Sequence, residues 1–177
     1  FVPLTVGGGI RNEIHIKKLL DNGADKITIN SIATEDPKII GSFAYKYGKQ
    51  CIVISIDVKK IGNNYIVFSN FGKKKTKYKI EDWIKIVQEE GAGEILIQSI
   101  DYDGTLEGYN YELVEKISKV IDLPLIVSSG AGNWEHFAKL LDYNFVSAAS
   151  TTNIYHFTET SIRSLKTFLV KKNIEIR

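Results

Sequence analysis

The chain has 177 residues, of which 44% are hydrophobic and 25% charged, and its formal net charge is +2. This composition is typical of a globular protein with one core, and so small a charge argues against nucleic acid as a partner. No apolar run reaches the roughly 18 residues of a membrane span, so no membrane partner is expected. The single cysteine, Cys51, excludes a disulfide framework and favours the reducing cytoplasm.

Short apolar runs alternate with helical patterns along the chain. Strands are predicted near 3–6, 26–30, 51–57, 94–100, 124–128 and 145–149. Helices are predicted at 12–22, 36–47, 80–90, 110–121, 134–142 and 159–172. Strand–helix units of about 30 residues are typical of parallel strands joined by helical crossovers. The pattern therefore predicts an α/β fold with a parallel sheet, in one domain that spans residues 1–177.

Residues 58–79 interrupt this alternation. Two strand-like runs, 58–61 and 65–69, flank Gly62-Asn63-Asn64 and predict a hairpin directly after the third strand. In a parallel barrel, the loops at this end of the strands build the active site. Farther along this segment, Lys73-Lys74-Lys75 is either a solvated loop or a contact for phosphate.

Turns of small residues end three of the predicted strands. Gly7-Gly8-Gly9 follows the first, Ser128-Ser129-Gly130-Ala131-Gly132 the fifth and Ala148-Ala149-Ser150 the sixth. Glycines let the backbone approach a ligand, and the N–H groups at a helix start favour an anion. The first turn can equally be a tight connection that needs positive φ. The two successive turns at the end of the chain are the usual place for a phosphate in a parallel barrel.

Polar side chains end the second and third strands. Asn30 and Ser31 either reach a phosphate or a ring of the ligand, or cap the next helix. Asp57 follows an apolar strand, where burial tends to raise the pKa of a carboxyl group and so suits acid–base work near neutral pH. The alternative for Asp57 is an ion pair with Lys59 or Lys60.

The fourth strand runs into Asp101-Tyr102-Asp103-Gly104-Thr105, which holds two acids and a hydroxyl in five residues. Strand alternation predicts that Asp101 and Asp103 share one face. No histidine and no third acid lies nearby at the spacing of metal ligands, and the three histidines form no cluster. We therefore expect neither a metal nor a cofactor.

Together these motifs resemble the cyclase subunit of imidazole glycerol phosphate synthase, over essentially the whole chain. The order and spacing of the motifs carry the resemblance: Thr5-Val6-Gly7-Gly8-Gly9-Ile10, Gly23-Ala24-Asp25-Lys26, Ile56-Asp57, Gly91-Ala92-Gly93-Glu94-Ile95-Leu96, Ser99-Ile100-Asp101-Tyr102-Asp103-Gly104-Thr105, Gly130-Ala131-Gly132 and Glu135-His136-Phe137. It implies a (β/α)₈ TIM barrel, of which this chain has about six of the eight units. Because the chain lacks methionine and begins within a strand-like run, we expect that its natural N-terminus is missing.

The resemblance also implies an activity. Such a lyase of histidine biosynthesis takes ammonia from a glutaminase subunit, with which it forms a heterodimer. It converts a bis-phosphorylated ribonucleotide into imidazole glycerol phosphate and an aminoimidazole carboxamide ribonucleotide. By this resemblance the catalytic acids are Asp57 and Asp103, and the ammonia entrance has Lys26 and Glu94. The implied phosphate- and substrate-binding residues are Gly8, Gly9, Asn30, Ser31, Gly104, Thr105, Ser128, Gly130, Ala149 and Ser150.

Three positions and one short segment depart from the family pattern. Gln98 replaces a small hydroxyl residue, Phe71 a polar residue of the hairpin and Ser129 a glycine, and Thr151-Thr152-Asn153 resembles an insertion. Relatives of this subunit serve surface-polysaccharide biosynthesis, where ammonia goes to another acceptor, and that role is the main alternative. A second alternative is a non-catalytic scaffold that docks a glutaminase. Without its first units, the chain is expected to be inactive on its own.

Overall fold

A computed structural model describes residues 2–157 and 161–176 of the protein. Its sheet has eight strands: β1 (Thr5–Gly7), β2 (Lys26–Ile29), β3 (Ile52–Ile61), β4 (Asn64–Ser69), β5 (Lys74–Lys79), β6 (Glu94–Ser99), β7 (Leu125–Ser128) and β8 (Val146–Ser150). Six of them pair in the order β1-β2-β3-β6-β7-β8, and every pair in this row is parallel.

Six α-helices connect these parallel strands in the described residues: α1 (Glu13–Asp21), α2 (Ser31–Glu35), α3 (Lys38–Tyr47), α4 (Ile80–Glu89), α5 (Tyr111–Ile117) and α6 (Trp134–Leu141). Two more, α7 (Asn153–Phe157) and α8 (Ile162–Lys171), follow β8. Asn12 caps α1 as predicted, because its side-chain oxygen accepts a hydrogen bond from His15 N at 3.1 Å. Residues 158–160, at the predicted start of the last helix, lie outside the described residues. Six strand–helix units in sequential order confirm the prediction of a partial (β/α)₈ barrel.

The two faces of the sheet have different compositions. Side chains such as Ile27, Ile54, Ile56 and Ile95 are fully buried against the helices. Most residues that alternate with them, among them Thr28, are only partly buried and line the concave face, whereas Val53 in β3 is buried. This period of two is the direct consequence of strand geometry. It places the polar side chains of the strands on the inside of the barrel.

The predicted hairpin is confirmed as an extension of β3. Residues 52–54 of β3 pair with β2, whereas residues 57–61 pair with the antiparallel β4, which in turn pairs with β5. β5 was not predicted, because its lysine-rich sequence lacks apolar alternation and its extended conformation depends on pairing with β4. Lys74 therefore lies in a strand rather than in a loop, and its Nζ is 3.9 Å from Glu35 Oε1.

Three other elements differ from the prediction. α2 and α7 have five residues each, too few for helical periodicity to be read from the sequence. α5 ends at Ile117 rather than near residue 121, because Val120 N and Ile121 N both donate to Ile117 O in a closing turn. Of the helices described, none is long and apolar enough to cross a membrane.

Candidate active site

The ends of the parallel strands surround a cavity of about 600 Å³. Gly9, Asp103 and Ser129 follow their strands at this same end of the sheet, as predicted. Asp57 lies at this end too, but inside β3, which continues beyond it to Ile61 in the hairpin. The cavity is lined by Gly8, Gly9, Ile10, Arg11, Thr28, Ile29, Asn30, Ser31, Ser55, Asp57, Asn70, Phe71, Gly72, Gln98, Ile100 and Asp103. Its wall thus comes from four strand ends and from the turn between β4 and β5.

Asp57 has the environment of an acid–base group. Burial raises the pKa of its carboxyl group, and the nearby charge of Asp103 adds to the increase. Hydrogen bonds from the Asn30 side chain and from the Gly72 backbone act in the opposite direction and stabilise the ionised form. The alternative ion pair is absent in the described part of the chain, where Lys60 Nζ instead binds Glu112 at 2.6 Å.

The two acids after β6, Asp101 and Asp103, point in different directions. Asp103 lines the cavity and accepts a hydrogen bond from Gln98 Nε2 at 3.3 Å. Asp101 instead accepts one from the backbone N of Lys60 at 2.8 Å, away from the cavity. The prediction that both share one face is wrong because β6 ends at Ser99 and residues 100–104 form turns, in which strand alternation does not apply.

Several polar groups at the cavity have unused hydrogen-bonding capacity. Asn30 Oδ1 and Thr28 Oγ1 are buried without a partner among the described residues. Asn30 makes no side-chain cap to α2, and its amide nitrogen donates to Phe68 O at 3.3 Å. Ser31 Oγ accepts from Asn70 N at 2.9 Å, so its own proton can be donated to a ligand. Buried groups of this kind usually bind water or a ligand.

The turn after β1 forms one side of the cavity. Gly8 and Gly9 have φ values of +96° and +69°, which favour glycine, and both are exposed. The next residues bring Arg11 to the same wall, where a guanidinium group suits a phosphate. Our sequence analysis did not assign a role to Arg11, although it directly follows the glycine turn.

A second, smaller cavity lies beside Asp103. Its lining also includes Gly104, Ser128, Ser129 and Gly130, and its volume of about 20 Å³ holds roughly one water molecule. A phosphate group would therefore require these turns to separate.

The remaining predicted binding residues have other surroundings. Ser150 Oγ lies 3.5 Å from Ser128 Oγ, and together with Ala149 it also lines a groove beside α8. Thr105 lines neither cavity, and its hydroxyl donates to Tyr102 O at 2.9 Å.

Lys26 and Glu94 lie at the opposite end of the sheet, where β2 and β6 begin. Lys26 Nζ is 2.7 Å from Glu94 Oε2, and the two side chains are 33% and 14% exposed. Within the ranges described, no three histidine, cysteine, aspartate or glutamate side chains come close enough to hold a metal ion.

Thr28 and Ser55 were missed by the sequence analysis. Both lie two residues before a predicted site residue, Asn30 and Asp57 respectively. Side chains two residues apart point to the same face of a strand. Counting two residues back from Asn30 and Asp57 would therefore have identified Thr28 and Ser55.

Comparison with known proteins identifies the family of the chain. Residues 1–161 match the family described as histidine biosynthesis protein. Over its 177 residues the chain is 45% identical to imidazole glycerol phosphate synthase subunit HisF of Chlorobium phaeobacteroides (strain BS1), and the match covers 100% of this chain and 70% of that protein. With the same coverage it is 44% identical to subunit HisF of Pelodictyon phaeoclathratiforme and 42% identical to that of Natranaerobius thermophilus. The chain therefore belongs to the HisF family of imidazole glycerol phosphate synthase subunits.

Proposed function

We propose that this chain carries the cyclase site of an imidazole glycerol phosphate synthase in histidine biosynthesis. The substrate would be a bis-phosphorylated ribonucleotide, and the products imidazole glycerol phosphate and an aminoimidazole carboxamide ribonucleotide. The observation that carries this proposal is Asp57, an acid with a raised pKa, on the wall of a cavity that also holds a glycine turn and Asp103. We place the protein in the cytoplasm, which agrees with its single cysteine.

The geometry supports distinct roles for the two acids. Because burial makes ionisation of Asp57 unfavourable, this carboxyl group can release and take up a proton closer to neutral pH than an exposed aspartate can. Asp103, fixed by Gln98, is in a position to accept hydrogen bonds from the hydroxyl groups of the ribose-derived chain. The backbone around Gly8 and Gly9, with Arg11, would hold one phosphate group.

Ammonia would arrive from the other end of the barrel. We propose that a glutaminase subunit binds there, near the ion pair of Lys26 and Glu94. Thr28 and Ser55 lie farther along the concave face, between that end and Asp57, and can donate hydrogen bonds to ammonia. The smaller cavity, with Gly104, Ser128 and Gly130, would open to hold the second phosphate.

Asp57→Asn tests the proposal, since it keeps the size of the side chain and removes its titrating proton. Turnover should fall by about 10²–10⁴-fold, the usual contribution of a positioned acid–base group, while affinity for the substrate stays nearly the same. The assay uses the natural full-length protein, the bis-phosphorylated ribonucleotide and a saturating ammonium salt, which makes the glutaminase unnecessary. Full activity in Asp57→Asn would rule out the acid–base role.

A second candidate is the paralogous role in surface-polysaccharide biosynthesis, with a different acceptor for ammonia. It is favoured by the unusual residues at the site, because Gln98 and Phe71 line the cavity and Ser129 lies in the turn after β7. In that case the wild-type protein binds its glutaminase but does not cyclise the ribonucleotide. A non-catalytic docking scaffold is disfavoured, since such a scaffold has no need of Asp57 and Asp103 in one cavity.

A further inference from the structure

Phe71 occupies an unusual position for a large apolar residue. It lies in the turn between β4 and β5, is 80% exposed and has a φ of +57°. Its neighbours Asn70 and Gly72 have φ values of +53° and +73°. Residues with a Cβ atom rarely adopt this left-handed region, and phenylalanine gains no packing here that would compensate. Neither the core nor the turn itself therefore explains an aromatic residue at this position.

The turn is nevertheless held firmly against the barrel. Asn70 N donates to Ser31 Oγ at 2.9 Å, and Lys73 N donates to Asn70 O at 3.2 Å. The Gly72 backbone is near enough to the carboxyl group of Asp57 to lower its pKa. These contacts connect the turn to the end of β2 and bring it beside the acid of β3. Phe71 is thus presented at the edge of the cavity from a fixed backbone.

The composition of the cavity indicates what Phe71 can contact. Apart from Ile10, Ile29 and Ile100, the residues that line the cavity with it are polar, charged or glycine. The hydroxyl, amide and carboxyl groups can bind the phosphate and ribose parts of a ligand, but none of them offers a flat apolar surface. An exposed aromatic ring does, and planar heterocycles stack on such rings because both faces are apolar and polarisable.

We propose that Phe71 is a specificity-determining residue that stacks on the planar heterocycle of the ligand. This inference rests on the proposed function, which requires an imidazole-containing ligand in this cavity. It assigns the heterocycle to the side of the cavity formed by the β4–β5 turn, where Gly72 and Asp57 line the same wall as Phe71. Ring recognition is then coupled to the position of the acid.

Two probes separate ring recognition from phosphate binding. The protein is titrated calorimetrically with aminoimidazole carboxamide ribonucleotide, which has the ring, and with ribose 5-phosphate, which lacks it. Phe71→Ala should weaken binding of the ribonucleotide by roughly 5- to 150-fold, the range for loss of one aromatic stacking contact, and leave ribose 5-phosphate within about twofold. Phe71→Tyr and Phe71→Trp should retain binding of the ribonucleotide.

Two further variants serve as controls. Phe71→Leu keeps apolar area but removes the ring, so it should lose most of the affinity that Phe71→Ala loses. Tyr45 lies on α3 outside the cavity and is 96% exposed. Its substitution by alanine is the matched control, because it removes an exposed aromatic side chain away from the proposed site. Tyr45→Ala should bind both probes as the wild type does.

Each contrary result has a distinct meaning. If wild-type protein binds both probes and Phe71→Ala retains its affinity for the ribonucleotide, stacking is wrong while the proposed function stands. If Phe71→Ala weakens the binding of both probes equally, Phe71 supports the conformation of the turn and does not stack on the heterocycle. If Phe71→Leu binds the ribonucleotide as tightly as the wild type does, the aromatic side chain is dispensable. If the wild-type protein binds neither probe, the proposed function fails, and this inference fails with it.

Discussion

At the scale of single residues, Asp57 combines a functional position with a cost in stability. Its carboxyl pKa is raised above 3.8 in the folded protein, mainly because burial disfavours the charged form. In the unfolded chain the same group ionises with an ordinary pKa. Folding at neutral pH therefore brings a charge into an unfavourable place, as is common for active-site groups.

This cost predicts how Asp57→Asn affects stability. Because the folded pKa is raised, stability is lost as the pH rises from 3.8 to the folded value, and the loss is complete above it. The variant should accordingly have a higher free energy of unfolding than the wild type at pH 7, with the difference shrinking towards zero as the pH falls to 3.8. Urea denaturation of the two proteins between pH 3.8 and pH 7 measures this difference in the free energy of unfolding and its change with pH. A difference that is the same at every pH would mean that ionisation is not its cause.

The residues of the site could be predicted from sequence to different degrees. Asn30, Asp57 and Asp103 end or follow apolar strands, and that local pattern was sufficient to place them at one cavity. The direction of Asp101 could not be predicted, because it depends on where β6 ends. The contribution of Phe71 depends on the fold of a turn, which the sequence pattern does not encode.

At the scale of elements, the sequence predicted what is determined locally. Parallel strands, the main helices and the hairpin follow from apolar periodicity and turn residues. β5 is extended only because β4 lies beside it, and α2 and α7 are single short helices within connections. Such elements depend on their neighbours in space, so a local pattern does not identify them.

The loop after β6 and the turn after β7 form an interlocked pair. Gly108 N donates to Gly130 O at 2.7 Å, and a Cβ atom at Gly132 would collide with the backbone oxygen of Leu106. Ser129 lies within this pair with a φ of +87° and a buried hydroxyl that has no partner among the described residues. Both properties are unfavourable for a serine.

Ser129→Gly should relieve both costs. Glycine has no Cβ atom, so the variant is not strained by the positive φ at this position. We expect its free energy of unfolding to exceed that of the wild type by about 1–2 kcal/mol. Because glycine also lets a phosphate group come closer to the backbone of this turn, the affinity for inorganic phosphate should increase. Asn173→Gly is the matched control, since Asn173 has a φ of +59° but is exposed and far along the chain from this turn. It should leave phosphate affinity unchanged, and unaltered phosphate affinity in Ser129→Gly would contradict the role of the turn.

At the scale of the whole molecule, the candidate site residues lie at two opposite ends of the barrel. The acids and glycine turns lie where the parallel strands end, whereas Lys26 and Glu94 lie where β2 and β6 begin. The end that holds the acids and glycine turns was predicted from the strand pattern, whereas the opposite position of Lys26 and Glu94 was implied by the family resemblance. This separation allows the two ends to be tested independently.

Lys26→Met should uncouple the two ends. Loss of the ion pair is expected to lower glutamine-dependent turnover by about tenfold, within the usual range of coupling between sites, while ammonium-dependent turnover stays the same. Both rates are measured with the full-length protein and its glutaminase. Lys46→Met removes an exposed ion pair with Glu13 between α1 and α3 and is the control. If Lys26→Met lowers both rates equally, the change has damaged the barrel rather than its coupling.

The change of partner along β3 has a consequence for how this site can evolve. Asp57 has strand neighbours on both sides, Phe68 in β4 and Gln98 in β6, so its backbone opens only when the sheet itself opens. Gly8 and Gly9 lie in the exposed loop after β1, which can open locally at little cost. Substitutions in this loop can therefore change which molecule is held without displacing the acid. A barrel of this design can exchange its substrate while it keeps its chemistry.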